Sequence, residues 1–253
     1  MAVGFIHGVM NTDNTSISGE TIDYGPCAFM DYYDPNKVYS YIDHQGRYSY
    51  INQGKIMFWN LSKFAESLIP ILDKDSDIAR NIAVDVLKNF PRIFEEKWLD
   101  KMREKFGFSS KFKDDYKIIS EFLNLIKKEG LDYTKAFRSL IFDNDEDFSF
   151  SNFDFKDSIA SKEWFNSWKT RLHKEKKDIQ NISKSMKKIN PIYIPRNHII
   201  EKVINELVQG KGNNMLEKIL ELTEKPYTYQ KDSKYFELPP SPSEEVTNTF
   251  CGT

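Results

Sequence analysis

Cysteine is scarce in this chain, and its scarcity excludes one class of protein. Only Cys27 and Cys251 occur among the 253 residues, far apart and without metal-ligand spacing. Two such cysteines cannot form the disulfide framework of a small secreted domain. A reducing compartment is therefore expected, and one long-range disulfide between the two remains an open alternative.

Long apolar runs are missing as well. No stretch reaches the roughly 18 apolar residues that a membrane-spanning helix needs, and the N-terminus, MAVGFIHGVM, is too short and too weakly charged for a signal peptide. We therefore expect a soluble protein with no membrane partner. Its expected location is the cytoplasm, or the mitochondrion if the source is eukaryotic.

The chain also lacks a strong excess of charge, because its net charge is only −2. A net charge this small gives no overall attraction to nucleic acid. The basic stretch at residues 169–188 is the one local exception, and nucleic-acid binding through it is an alternative reading. We favour a solvated helix face, because Glu175 and Asp178 interrupt the stretch and Trp164 and Trp168 are expected to pack inward. Nucleic acid is thus not a predicted partner.

The distribution of apolar residues predicts a mainly α-helical fold with a small β component near the N-terminus. Residues 1 to about 55 are rich in glycine and aromatic residues, which is typical of loops and short strands. Beyond Trp59, five groups of apolar residues show helical spacing: Phe64, Leu68, Ile71 and Leu72; Ile78, Ile82, Val86 and Phe90; Tyr116, Ile119, Phe122, Leu123 and Ile126; Ile199, Val203, Leu207 and Val208; and Leu216, Ile219 and Leu220. Pro91 is expected to end or kink the second helix.

Two neighbouring motifs, HGVMNTDN from His7 and TIDYGP ending at Pro26, carry the candidate chemistry. Phosphoryl and nucleotidyl transfer need a divalent cation, and Mg²⁺ prefers oxygen ligands from one or two side chains plus the phosphates. Asn14 and Asp23 supply such oxygens. Kinase-like enzymes that phosphorylate small molecules use a loop HGDxxxxN, but here Val9 replaces the aspartate that would act as base. Asp13 is the nearby carboxylate.

Other interpretations of these residues stay open. Asp13 and Asn14 could be ordinary turn residues, and Asp23 could cap a loop. We favour a bracing role over a reacting role for His7. A small-molecule kinase is a second functional alternative. Arg47 and Arg196 could reach phosphates, but a structural bracing role is preferred for both. The GxSxG, HExxH, CxxC and Walker A motifs are absent.

The sequence resembles a known family over nearly its whole length. The blocks that carry the resemblance are GFIHGVMNTDNTSISGETIDYGPCAFMDYYDP, DHQGRYSYINQ, FWNL, INPIYIPRNHIIEKVI, KPYTYQ, LPP and TFCGT. They resemble the SelO (YdiU) family, whose members have a protein-kinase-like fold and are protein adenylyltransferases. The resemblance implies that this chain is the C-terminal lobe of such a fold, with ATP and Mg²⁺, or Mn²⁺ in its place, as cofactors.

The resemblance also implies roles for the candidate residues. Asp13 would be the general base that activates a hydroxyl of a protein substrate. Asn14 and Asp23 would bind the metal, and Asp23 would also lie near the nucleotide phosphates. In the family, ATP binds in a flipped orientation, so AMP rather than phosphate passes to Ser, Thr or Tyr hydroxyls. The implied partners are therefore ATP and proteins with hydroxyl side chains.

The resemblance divides the chain into three segments of one domain. Residues 1–58 would form the catalytic-loop and activation-like segment, residues 59–225 a helical lobe, and residues 226–253, with four prolines, an extended tail lying over the domain. The acidic stretch at residues 143–157 is expected to be a surface loop.

Several departures from the family pattern shape the functional expectation. Thr15 and Ser18 replace apolar residues beside the site, and Tyr39 stands where many members have a cysteine that can pair with a C-terminal one. The glycine-rich lobe that precedes the loop in the family is not found in this chain. We therefore expect weak or no activity from the chain alone. The alternative is a catalytically dead or partner-dependent pseudokinase lobe that acts as an interaction module, for example with a separately encoded N-lobe.

Overall fold

Two short strands and a succession of helices form the chain in the computed structural model, which describes residues 1–21, 23–142, 150, 153, 155–156 and 158–250. The strands are β1 (Phe5–Ile6) and β2 (Ala28–Phe29); the helices are α1 (Gln53–Leu72), α2 (Ser76–Leu87), α3 (Phe90–Phe106), α4 (Asp115–Glu129), α5 (Tyr133–Ser139), α6 (Ile159–Leu172), α7 (Ile179–Lys187), α8 (Asn197–Val208), α9 (Asn214–Glu224) and α10 (Lys234–Glu237). The prediction of a mainly helical fold with a small sheet near the N-terminus is confirmed. Within the described ranges, none of the helices has the length and apolar character that a membrane span requires.

The helical spacing of apolar residues located three of the predicted helices well. The groups that begin at Tyr116, Ile199 and Leu216 lie in α4, α8 and α9. The group that begins at Phe64 lies in α1, but this helix starts earlier than predicted, at Gln53. It therefore crosses the expected segment boundary at residue 58.

The prediction for the second helix was wrong at its end. Helix α2 stops at Leu87, and Phe90 belongs to α3, where Pro91 lies in the first turn. A proline fits there because the first amides of a helix have no partner within the helix, and its fixed φ suits the helical conformation. Pro91 therefore opens a helix instead of ending one.

An aromatic core holds the helices together. Trp164 and Trp168 of α6 stack with their ring centres 5.8 Å apart and are almost fully buried. Their indole nitrogens donate hydrogen bonds to the carbonyls of Ile118 and Phe106, at 2.9 and 3.1 Å. The prediction that both tryptophans pack inward is confirmed. Of the acidic stretch, only Phe150, Phe153 and residues 155–156 are described, and the three phenylalanines contact α6; the rest lies outside the described residues.

The C-terminal segment lies beside the chain that follows β2. The amide of Thr249 donates to the carbonyl of Tyr39 at 2.7 Å, and the amide of Tyr41 donates to the carbonyl of Thr249 at 3.1 Å. The short helix α10 and turns at residues 226–227, 231–232 and 242–244 interrupt the tail that was expected to be extended. Cys27 is a free thiol, while Cys251 lies outside the described residues.

Arg196 joins four parts of the fold from a fully buried position at the start of α8. Its guanidinium donates to Asp31, just after β2, and to Asp132 at the start of α5, at 2.7 and 3.1 Å to the two oxygens of Asp132. A further hydrogen bond of 2.9 Å reaches the carbonyl of Glu237 in α10. The predicted bracing role of Arg196 is therefore confirmed.

Lys105 of α3 lies in the aromatic core. Its ammonium group is 4.1 Å from the ring centre of Phe137 and 5.6 Å from that of Tyr133. It forms no ion pair with any described residue. Burial disfavours the charged form and lowers the pKa of Lys105 to about 7. The core thus contains a lysine that loses its proton near neutral pH.

Replacing Lys105 by methionine is expected to remove a pH dependence of stability. The unfolded chain keeps this proton up to about pH 10.5, whereas the folded protein releases it near pH 7. The unfolded state therefore binds more protons between these values, and the free energy of unfolding rises with pH by up to about 1.4 kcal/mol per pH unit. The free energy of unfolding of Lys105→Met, measured with urea between about pH 7 and pH 9, should not show this slope.

The exposed Lys113 provides the matched control. Lys113→Met should keep the slope of the unmodified chain, because this substitution leaves the buried Lys105 in place. Equal slopes in Lys105→Met and the unmodified chain would contradict the prediction.

Candidate active site

The antiparallel pairing of β1 with β2 brings the two motifs of the candidate site together. Phe5 lies opposite Phe29 and Ile6 opposite Ala28. The chain between the strands, residues 7–27, therefore leaves and returns at neighbouring points, and it contains both HGVMNTDN and TIDYGP. These two residue pairs therefore bring together the two ends of the segment that contains both motifs.

The three predicted site residues line one open cavity of about 270 Å³. Asp13 and Asn14 belong to a 3₁₀ turn, Thr12–Asn14, and Asp23 lies on the returning chain. All three side chains are exposed to solvent. The structure therefore brings together two carboxylates and an amide at a surface that a ligand can reach.

A hydrogen bond fixes the orientation of Asn14. Its side-chain nitrogen donates to the carbonyl of Val9 at 3.1 Å. Because the amide nitrogen is used within the loop, the amide oxygen is the atom that remains for a cation. Oxygen is the ligand type that Mg²⁺ prefers.

Two residues of α1, neither of them predicted to have a role, hold the loop in place. Gln53 accepts a hydrogen bond from the amide of His7 at 3.1 Å and donates to the carbonyl of Phe5 at 3.0 Å. Asn60 donates to the carbonyl of Met10 at 3.0 Å. Both lie in blocks that carry the family resemblance, INQ and FWNL, which is the signal that could have identified them.

Thr15 takes part in the same support. Its hydroxyl donates to the carbonyl of Asn11 at 2.9 Å and accepts from Asn60 at 2.6 Å. Ser18 bonds only locally, to the hydroxyl of Ser16 at 2.8 Å. The replacement of an apolar residue by Thr15 therefore adds polar contacts beside the site.

His7 braces the loop, as the sequence analysis favoured. Its Nδ1 accepts a hydrogen bond from the amide of Val9 at 3.4 Å. Burial lowers the pKa of His7, although the nearby Asp23 carboxylate acts in the opposite direction. The imidazole is therefore neutral at pH 7 and accepts a hydrogen bond within the loop.

Gly8 lies at a close approach of the two motifs. It has a φ of +89°, and a Cβ atom added to it would lie 2.4 Å from the carbonyl oxygen of Pro26. Any other residue would meet both backbone strain and a steric clash. Glycine is therefore required at position 8, because the DYGP segment passes too close to it for a side chain.

Gly8→Ala is therefore expected to destabilise the protein by more than about 2 kcal/mol, since a backbone penalty of about 1–2 kcal/mol adds to overpacking. Gly19 is the matched control, because its φ is +72° but no atom lies within 4 Å of an added Cβ. Gly19→Ala should incur the backbone penalty alone. Urea unfolding of both variants measures the difference, and equal losses would contradict the role of the close approach.

The donor set of the cavity fits Mg²⁺ held jointly with a nucleotide. Asn14 and Asp23 offer an amide oxygen and a carboxylate, with Asp13 nearby. In the described part of the chain, no cluster of three or more His, Cys, Asp or Glu side chains forms a complete metal site. Mg²⁺ is commonly bound by one or two side chains and completes its shell with phosphate oxygens and water.

Arg47 does not line this cavity. Its guanidinium stacks on the ring of Trp59 at 4.7 Å and lies 5.7 Å from the ring centre of Tyr48. Asp43 receives hydrogen bonds from the amides of residues 47 and 48, at 2.8 and 2.7 Å. Arg47 is therefore an exposed cation held against α1.

Known proteins are similar in sequence to this chain over nearly its whole length. The family description "Protein adenylyltransferase SelO" matches residues 1–224. The chain is 45% identical to "Protein nucleotidyltransferase YdiU" of Bacillus thuringiensis (strain Al Hakam) over 251 residues, which are 99% of this chain and 50% of that protein. It is 44% identical to the protein of the same name from Clostridium botulinum (strain 657 / Type Ba4) over 252 residues, with the same coverage. The chain spans about half the length of these relatives, and it belongs to the SelO/YdiU family.

Proposed function

We propose that this chain carries the metal-binding and acceptor-activating half of a protein adenylyltransferase site. The observation that supports it most directly is that Asp13, Asn14 and Asp23 line one cavity, although Asp13 and Asp23 are ten positions apart in the sequence. The names of the relatives, protein nucleotidyltransferase, support the same class of reaction. In this proposal the chain forms the C-terminal lobe of a protein-kinase-like fold, with residues 1–58 as the catalytic-loop and activation-like segment, 59–225 as the helical lobe and 226–253 as the tail.

The proposed reaction transfers AMP from ATP to a Ser, Thr or Tyr hydroxyl of a protein. The hydroxyl oxygen forms a bond to the α-phosphorus of ATP, and the bond from that phosphorus to the oxygen bridging to the β-phosphorus breaks. Pyrophosphate leaves with the bonding electrons. The Asp13 carboxylate accepts the proton of the hydroxyl.

Asn14 and Asp23 would hold the cation, and Asp23 would lie near the phosphates. When bound, Mg²⁺ or Mn²⁺ offsets the negative charge that develops on the phosphate oxygens. Gln53 and Asn60 position the loop on the rigid helix α1, so that Asp13 needs little reorganisation to accept the proton.

The test compares ATP labelled at the α- or γ-phosphate, with a mixture of hydroxyl-bearing proteins as acceptors. Two proteins are assayed: the chain alone, and a joined protein in which residues 1–253 follow the N-terminal half of the Bacillus thuringiensis relative. The chain alone should show very weak ATP binding and little or no transfer, because its cavity offers Mg·ATP two metal ligands and no Lys or Arg among the described residues that line it. The joined protein should transfer the α-label.

Each other outcome has a distinct meaning. Transfer of the γ-label in place of the α-label would identify a kinase and contradict the proposal. Failure of the joined, folded protein to transfer either label would favour an interaction lobe without catalysis. Strong α-label transfer by the chain alone, lost in Asp13→Ala, would contradict the expected dependence on the other half.

A further inference from the structure

A second cavity, of about 670 Å³, lies between the catalytic loop and α1. Its loop side includes Thr12 and Ile17, and its helix side includes Trp59 and Phe64. The apolar side chains are well exposed, at 82% for Ile17, 37% for Trp59 and 39% for Phe64. We call this cavity the α1 groove. Its apolar surface lies next to Thr12, the residue that precedes Asp13.

The α1 groove continues into the cavity of the candidate active site. Four residues line both cavities: Thr15, Ser16, Gly19 and Met57. A bound chain could therefore place one residue in the α1 groove and a neighbouring one beside Asp13. The groove is thus an extension of the site towards α1.

The α1 groove also contains a buried polar atom without a partner. Asn60 lines it and is 4% exposed, and its side-chain nitrogen is used by the carbonyl of Met10 and the hydroxyl of Thr15. Its side-chain oxygen accepts no hydrogen bond from any described residue. Such atoms usually have a partner, because an unmade hydrogen bond is unfavourable in a buried place.

Two cationic side chains lie over the ring of Trp59, which lines the α1 groove. Lys63 lines the groove but already pairs with Glu66 at 2.9 Å. Arg47, stacked on the Trp59 ring, forms no ion pair with a described residue. An exposed guanidinium held on an aromatic ring is well placed to bind a carboxylate.

The proposed metal ligands lie outside the α1 groove. Asn14 and Asp23 line the site cavity, and neither lines the α1 groove. The triphosphate, which must contact the cation, therefore belongs to the site cavity. A peptide is the better occupant of an apolar groove that continues to Asp13 and has the Arg47 guanidinium stacked on one of its lining rings.

We propose that the α1 groove binds the acceptor segment of the protein substrate, and that it selects a large apolar side chain near the acceptor hydroxyl followed by an acidic side chain at Arg47. The inference rests on the proposed function, since it assigns the groove to the acceptor of that reaction. Specificity then comes from Trp59, Phe64 and Arg47, which lie outside the reacting groups.

The test uses fluorescein-labelled peptides with a central serine, in which one Phe and one Glu are moved through the neighbouring positions. Matched peptides carry Ala in place of Phe, or Lys in place of Glu. Binding to the chain is measured by fluorescence anisotropy without nucleotide. The best Phe- and Glu-containing peptide should bind at least about tenfold more tightly than either matched peptide, a difference of about 1.4 kcal/mol.

Variants of the chain connect this preference to the α1 groove. Trp59→Ala, or Phe64→Ala if the first does not fold, should remove the preference for Phe. Phe58→Ala is the matched control, because Phe58 is on the same helix and 37% exposed but does not line the groove. Arg47→Glu should reverse the preference from Glu to Lys, whereas Arg80→Glu, at an exposed site on α2, should not.

The outcomes separate the groove from the reaction. Absence of any Phe preference, or its persistence in both groove variants, overturns the groove proposal. In the joined protein, weaker Mg·ATP binding by Trp59→Ala with unchanged peptide binding would assign the groove to the nucleotide base and also overturn it. A peptide preference that survives in Asp13→Ala supports the groove, even if the joined protein transfers no AMP and the proposed function fails.

Discussion

Replacing Asp13 by alanine or asparagine in the joined protein is expected to lower the rate of AMP transfer by about 10²–10⁴-fold, the usual contribution of a general base. Both substitutions remove the carboxylate that would accept the hydroxyl proton. Asparagine keeps the size of the side chain, so a similar loss in both variants would point to the missing base and not to altered packing. Label transferred from α-labelled ATP to acceptor protein is the measurement.

The kinetic parameters distinguish Asp13 from the metal ligands. A base acts in the transition state, so Asp13→Asn should lower kcat while leaving the affinity for Mg·ATP nearly unchanged. Asn14→Ala and Asp23→Ala should instead weaken binding of Mg·ATP. Glu20→Gln is a matched control, because Glu20 is a carboxylate of the same cavity without a predicted role. A loss in Glu20→Gln as large as that in Asp13→Asn would show that the negative charge of the cavity matters and not one base.

Replacing Arg196 by methionine is expected to lower the free energy of unfolding by about 3–5 kcal/mol, as is typical when one member of a buried ion pair is removed. The substitution leaves Asp31 and Asp132 without their cation at positions that are 7% and 6% exposed. Burial and the neighbouring Asp132 already raise the pKa of Asp31 to about 6, although Arg196 acts in the opposite direction. One guanidinium therefore supports two carboxylates that repel each other.

Three further variants test this account by urea unfolding. Arg196→Lys keeps the charge but loses the paired hydrogen bonds to Asp132, so an intermediate loss is expected. Adding Asp31→Asn to Arg196→Met should recover part of the stability, because one unpaired buried charge is removed. Arg80→Met breaks only an exposed pair, with side chains 65% and 85% exposed, and should change stability by less than about 1 kcal/mol. A loss below about 1 kcal/mol in Arg196→Met would contradict the bracing role.

The candidate site could be anticipated from the sequence because its chemistry lies in two short motifs. His7, Asp13, Asn14 and Asp23 were all singled out from HGVMNTDN and TIDYGP, and the structure places them around one cavity. The support from α1 could not be anticipated in the same way. Gln53 is 46 residues from His7 in the chain, and no local rule connects the two.

The helices show a similar division. Helices α4, α8 and α9 bury one face, so their apolar residues recur at helical spacing and were found. Helix α3 was missed, since it buries only Met102, Lys105 and Phe106, all close to its end. A charged residue among three buried positions breaks the pattern from which a helix face is recognised.

The sequence by itself determined the family, the mainly helical fold and the residues of the candidate chemistry, because each is encoded in neighbouring residues or in ordered blocks. Only the tertiary structure decided what those residues meet. It brought HGVMNTDN to TIDYGP through a pair of two-residue strands, buried Arg196 between two aspartates and Lys105 among aromatic rings, and opened the α1 groove beside Asp13. These are contacts between distant parts of the chain, and their energies depend on burial and distance, which exist only once the chain has folded.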